Sequence, residues 1–309
     1  LEKGNIDLIL GTHSLFSANV NYKNLRLAVI DEQHRFGVLQ RSAILQKGAD
    51  SNIEKRQPHI LMMSATPIPR TLALSVFGDL DISSIKTLPS GRKPIITYVG
   101  EEGKAEKVYA MVEGELEKGR QAYFVYPLIE ENEEHSLKSA QKMFENLQTR
   151  FSAYRLALIH SKIKEDEQRG IMEEFKAGTI DILVATSVVE VGVDVPNASC
   201  MVIEQAERFG LSALHQLRGR VGRGSEQSYC FLVYGKGLTE NGRERLKIMK
   251  ETNDGFIIAE KDLKLRGPGD IGGIEQSGYL GFTFADPIRD YEILQRARTA
   301  AFDMLKERQ

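Results

Sequence analysis

The chain reads as an α/β protein built from parallel sheets wrapped by helices, with a short first domain, a full second domain and a C-terminal helical hairpin followed by a loop. Three observations predict this. From Ile95 to Val233, short β-type runs alternate with helical stretches, the pattern of a parallel sheet covered by helices. Leu88–Pro94 (LPSGRKP) carries two prolines, a glycine and a serine, which marks a linker. Two later helical stretches break at Asn253-Asp254-Gly255 and lead into a glycine-rich segment. The expected divisions are 1–88, a linker at 89–94, 95–238 and 239–309.

Composition bounds the function. The 309 residues are 41% hydrophobic and 27% charged, ordinary for a globular protein. A net charge of -2 gives no global signal for nucleic acid, so any such binding needs a local patch. Cys200 and Cys230 are too few for a disulfide framework or a cysteine-based zinc site. No signal peptide and no apolar run near twenty residues is present, so a soluble, cytoplasmic protein without a membrane partner is expected.

In order, Ile6–Leu10 is a β-type run ending at Gly11-Thr12-His13-Ser14. Leu25–Ile30 is a second and runs into Asp31-Glu32-Gln33-His34. Two carboxylates at the end of an apolar strand can hold Mg²⁺ through water with the first and orient or deprotonate an attacking water with the second. Open α/β sheets bind ligands at that edge. Taken alone, the same residues read first as an acidic strand-to-turn exit. Ile60–Met63 ends in Ser64-Ala65-Thr66-Pro67. Its hydroxyls either couple neighbouring sites by hydrogen bonding or cap a helix over Ile68–Val76.

Beyond the linker, strands are expected at Ile95–Val99, Ala122–Tyr126, Arg155–Ile159, Ile180–Val184, Met201–Ile203 and Tyr229–Val233. Helices are expected at Lys104–Lys118, Leu137–Phe151, Glu165–Lys176 and Leu211–Leu217, then Glu240–Thr252, Phe256–Leu265 and Pro287–Lys306. His160 follows a strand and precedes a helix, where a phosphate contact and a structural histidine both fit. Ala185–Pro196 (ATSVVEVGVDVP) puts Thr186 and Ser187 at a strand exit, where hydroxyls can meet nucleic-acid phosphates, and Glu190, Gly192 and Asp194 on a loop. Gln216–Gly224 (QLRGRVGRG) ends the run Leu211, Leu214, Leu217 with three arginines and three glycines. A guanidinium donates two parallel hydrogen bonds to a phosphate and never loses its charge. Arg220 and Arg223 would lie one helical turn apart and can face one polyphosphate. The bland alternative is a solvated basic helix end.

Asp31-Glu32-Gln33-His34, Ser64-Ala65-Thr66 and Gln216…Arg220…Arg223 occur in the order of the superfamily-two helicase motifs and resemble them. Asp31–Arg41 (DEQHRFGVLQR) and Ser64–Leu74 (SATPIPRTLAL) resemble most the RecG branch, the ATP-dependent fork-remodelling DNA helicases. The resemblance covers essentially the whole chain. It implies RecA-like domains, the first partial and the second complete, with ATP and Mg²⁺ as cofactors. Asp31 would hold the metal through water and Glu32 the attacking water. Arg220 and Arg223 would reach the γ-phosphate with Gln216 in support, and Gly192 and Asp194 would meet the nucleotide, Asp194 at the ribose or a water. Gln33, His34, Ser64, Ala65, Thr66 and Glu190 would couple that site to DNA. Thr12, His13, Arg70, His160, Thr186, Ser187, Arg266 and Gln276 would contact DNA. Asp262–Gly278 resembles the translocation motif shared by RecG and the transcription-repair coupling factor Mfd.

The resemblance further implies a monomer acting on double-stranded and branched DNA, namely forks and Holliday junctions, in recombination and repair. Single-strand-binding protein is an implied partner. No G-x-x-x-x-G-K-[S/T] loop occurs; Gly100–Ala105 has too short a spacer and no hydroxyl after Lys104. In the family that loop precedes the residues seen here, so the chain is read as the C-terminal part of the motor and is expected to be inactive alone. Two rivals stand: an Mfd-like translocase, and a nucleic-acid-binding module that does not hydrolyse ATP.

Overall fold

The computed structural model describes residues 1–17, 19–32, 47, 57–64, 81, 83, 85, 87, 91–127, 133–186, 194–266 and 290–306. Two compact units result, one from Leu1–Gly78 with Arg266–Gln309, the other from Asp79–Leu265.

In the first unit, β1 (Leu27–Ile30) and β2 (His59–Met62) run parallel, in register from Leu27↔His59 to Ile30↔Met62. The expected strand Ile6–Leu10 does not form. Leu8 is 79% and Leu10 87% exposed, and among the described residues no neighbouring strand takes up the backbone donors and acceptors that a strand must pair. A 3₁₀ turn at His13–Phe16 follows instead. Tyr22 donates its hydroxyl to the Leu15 carbonyl, and Lys47 Nζ donates to the carbonyls of Ser17 and Val20. The helix expected over 68–76 lies outside the described residues.

The second unit holds a six-stranded, all-parallel sheet: β3 (Ile96–Glu101), β4 (Gln121–Val125), β5 (Leu156–Ile159), β6 (Ile182–Ala185), β7 (Ala198–Ile203) and β8 (Tyr229–Tyr234), in the order β3-β8-β7-β4-β6-β5. Strands β4, β6 and β7 are buried along their whole length, as strands covered on both faces must be. Side chains alternate between two cores. Helices α1 (Ala105–Leu116) and α2 (Glu133–Arg150), with Phe151 just beyond α2, contribute Val112, Leu116 and Leu147 to a core with Phe124, Val184 and Phe231. On the opposite face lie α3 (Glu165–Lys176), α4 (Leu211–Arg218), α5 (Glu240–Glu251) and α6 (Gly255–Arg266). Their Phe175, Leu214, Leu217, Met249 and Ile258 pack with Tyr123, Leu183 and Leu232.

The hairpin forms as its sequence suggests. Thr239 Oγ1 caps α5 by accepting from Gly242 N, and Asp254 Oδ1 accepts from Phe256 N at the start of α6. Helix α6 runs through Arg266, so residues 262–266 of the glycine-rich segment are helical. A last helix, α7 (Tyr291–Lys306), belongs to the first unit. Among the described residues no helix is long and apolar enough to cross a membrane.

Candidate active site

Asp31 lies at the C-terminal end of β1, and the next residue bends the chain. Glu32 has φ +50, a left-handed conformation that costs a non-glycine residue roughly 1–2 kcal/mol. Its N–H donates to Asp31 Oδ1 at 2.8 Å, while the Asp31 side chain stays exposed. Met63 N donates to Ile30 O at 2.8 Å, so Ser64 leaves β2 at the same sheet edge. The structure thus brings Asp31, Glu32 and Ser64 together. Gln33, His34, Ala65, Thr66 and Arg70 lie outside the described residues. A single exposed carboxylate suits Mg²⁺, which keeps several waters and shares substrate phosphates. Among the described residues no group of three or more His, Cys, Asp and Glu side chains could cage a metal. Thr12 is exposed, its hydroxyl 3.0 Å from that of Ser14, and His13 opens the 3₁₀ turn.

In the second unit α4 ends at Arg218, and Gly219 leads into a tight turn. Gly222 has φ +76, and a Cβ there would stand 2.9 Å from Ile95 Cγ1. A Cβ on Gly224 would stand 2.6 Å from the Pro196 carbonyl oxygen, so only glycine lets the turn sit this close to the strand approaching β7. Arg223 is fixed on that surface. Its Nε donates to Gly219 O and its Nη1 to Asp194 Oδ1, both at 3.2 Å. Tyr123 lies beneath. Burial pushes its phenol up to about 12, Arg220 and Arg223 pull it down and Asp194 adds to the rise. Gln216 is half-buried on α4. Ser187, Glu190 and Gly192 lie outside the described residues.

The first arginine of the run does something else. Arg218 is 2% exposed. Its Nη1 donates to Met249 O at 2.7 Å and Thr252 O at 3.0 Å, and reaches Thr97 Oγ1 at 3.4 Å. Burial, and then Arg218 itself, hold His215 down to about 4, so its neutral ring accepts from Arg218 Nη2 at Nδ1, 3.3 Å away. From α5, Arg245 donates to the carbonyls of Phe209 and Glu207, so the hairpin is tied to the segment leading into α4 as well as to α4 itself.

The carboxyl edge of the sheet gathers the remaining residues. His160 follows β5, its Nδ1 accepting from Lys162 N and its carbonyl from Gln168 Nε2, a local structural arrangement. Thr186 follows β6 and is fully buried, and among the described residues its Oγ1 has no partner. Glu204 follows β7, and its Oε1 accepts from Tyr109 Oη at 3.2 Å. Burial lifts its carboxyl to about 7, with Glu102 and Glu207 adding to the rise and the Tyr109 hydrogen bond opposing it. Arg266 ends α6, and Gln276 lies outside the described residues.

Three family models match along the chain: DEAD/DEAH box helicase over residues 1–74, helicase conserved C-terminal domain over 103–225, and ATP-dependent DNA helicase RecG, domain 3, C-terminal, over 252–309. The chain is 65% identical over 310 residues to "ATP-dependent DNA helicase RecG" of Treponema pallidum, covering 99% of this chain and 45% of that protein. The chain belongs to the RecG family of superfamily-two helicases. The RecG of Aquifex aeolicus is 51% identical, over 99% of this chain and 38% of its own length. This chain therefore spans less than half the length of these RecG relatives. A solved RecG bound to a three-way DNA junction superposes with a TM-score of 0.71 at 45% identity, covering 95% of this chain and 37% of that one. Helicase MrfA bound to DNA and AMPPNP, 17% identical with a TM-score of 0.56 over 92% of this chain and 41% of that one, shares the fold.

Tyr123, Arg218, Arg245 and Glu204 were not singled out from the sequence. For Arg218 the signal was present: 211, 214 and 218 follow the i, i+3, i+7 spacing of one buried helix face. Tyr123 shares a strand face with Val125, legible only once that face is assigned.

Proposed function

We propose that this chain supplies the rear of an ATP-driven motor that moves along double-stranded DNA and remodels branched substrates such as forks and Holliday junctions in recombination and repair. The observation that carries this reading is the turn after α4, which fixes Arg223 while leaving it part-exposed, in a chain 65% identical to an ATP-dependent DNA helicase. Asp31 would hold Mg²⁺ through water and Glu32 would position the attacking water. Arg220 and Arg223 would stabilise the charge that develops on the γ-phosphate, supported by Gln216, with Gly192 beside the nucleotide. Gln33, His34, Ser64, Ala65, Thr66 and Glu190 would relay the nucleotide state to the DNA contacts. Thr12, His13, Arg70, His160 and Ser187 would follow the DNA backbone, and Arg266 and Gln276 would act in translocation; Thr186, expected among these contacts, is fully buried and is not one of them. The three-way junction bound by a solved relative supports branched DNA as substrate.

The test is ATP turnover by the complete gene product on a three-way junction and on linear duplex. Stronger stimulation by the junction is expected, and equal or absent stimulation overturns the substrate assignment. Arg223→Ala should lower kcat by about 10³-fold or more, the usual contribution of an arginine finger, with DNA affinity largely intact. Normal turnover by this variant would remove Arg223 from the chemistry.

A further inference from the structure

We infer that Asp194 is a positioning residue that aims Arg223 rather than a contact for the nucleotide ribose. This rests on the reading of Arg223 as a finger. The guanidinium presents five N–H donors in a rigid fork. Nε is taken by Gly219 O and Nη1 by Asp194 Oδ1, each at 3.2 Å, while Nη2 has no hydrogen-bond partner among the described residues. Two corners of the fork are thus held, on the edges that flank Nη2, and Nη2 is left over. The side chain is 27% exposed, so that corner is available to an incoming phosphate oxygen.

The clamp is rigid. Gly224 sits against the carbonyl of Pro196, two residues beyond Asp194, so the segment that carries the carboxylate and the turn that carries the guanidinium touch along their backbones. Asp194 is 57% exposed, so its ion pair adds little to folding. What it contributes is direction: it keeps a flexible side chain from sampling other rotamers, and it compensates the positive charge until a phosphate arrives.

The experiment uses the complete gene product with Asp194→Ala, Asp194→Asn, Arg223→Ala and the Asp194→Ala/Arg223→Ala double variant. It measures kcat and KM for ATP, affinity for a fluorescent ADP and for ADP–aluminium fluoride, and Tm. Asp194→Ala should lower kcat by roughly ten- to a hundredfold, the effect of a group displaced by about 1 Å. KM, ADP affinity and Tm should stay close to wild type, while ADP–aluminium fluoride binds more weakly. Asp194→Asn keeps an oxygen acceptor for Nη1 and should regain most of the loss. The double variant should be no slower than Arg223→Ala alone, because both substitutions disable one device. Weakened ADP affinity with kcat preserved would mean a ribose contact, and losses that multiply in the double variant would mean independent roles. Either result overturns the inference while the finger stands. Normal turnover by Arg223→Ala would overturn the finger, and the inference with it.

Discussion

At Glu204, the burial of a carboxyl has a direct thermodynamic consequence. The residue is 4% exposed, and its folded pKa of about 7 lies above the ordinary 4.5. Below pH 4.5 folded and unfolded chains are both protonated there, and burial carries no ionisation penalty. As pH rises toward 7 only the unfolded chain ionises freely, so stability falls, and above 7 the loss is complete, about 3 kcal/mol for this displacement. Glu204→Gln should therefore stabilise the 309-residue chain by up to about 3 kcal/mol at pH 8 and by almost nothing at pH 4. Urea titrations across that range check it, and parallel pH profiles for the two proteins would refute it. Arg218 is the opposite case. Its buried cation is met by two main-chain carbonyls, a hydroxyl and a neutral imidazole, so each donor that it directs inward finds an acceptor.

The turn after α4 depends on where a methyl group can be placed. Gly222→Ala must hold φ +76 and push Ile95, and Gly224→Ala must push the Pro196 carbonyl, so each should cost roughly 1–3 kcal/mol. Gly219→Ala meets its nearest atom, Gln216 O, at 3.4 Å and should be tolerated. Thermal melts of the three variants separate them, and equal melting temperatures would show that the turn has slack. Most elements here were legible beforehand. The runs that became β4, β6 and β7 are mostly apolar, and α4 announced itself through its leucines. Ile6–Leu10 looked the same, yet an apolar run becomes a strand only beside another strand, which no local pattern reveals. The Arg223–Asp194 pair was equally hidden. The two residues lie 29 positions apart, and only the turn geometry makes them neighbours.

For the whole molecule, the order of motifs was enough to identify the family, because three spaced signatures in one chain constrain it far more than any one does. Function at this scale needs a cradle for the β- and γ-phosphates, and the 309 residues contain no G-x-x-x-x-G-K-[S/T] loop. The isolated chain should accordingly give no DNA-stimulated phosphate release, while restoring the rest of the gene product should bring turnover back. Robust hydrolysis by the isolated chain would contradict the division of labour proposed above.

The sheet order has a consequence for synthesis. Strand β3 is made first among the six and, among the described residues, pairs only with β8, made last, through partners such as Ile96↔Tyr229. At 5–20 residues per second the ribosome takes on the order of ten seconds to produce the intervening stretch. Throughout that interval the nascent β3 has no mate, and the lobe closes only when its final strand clears the exit tunnel.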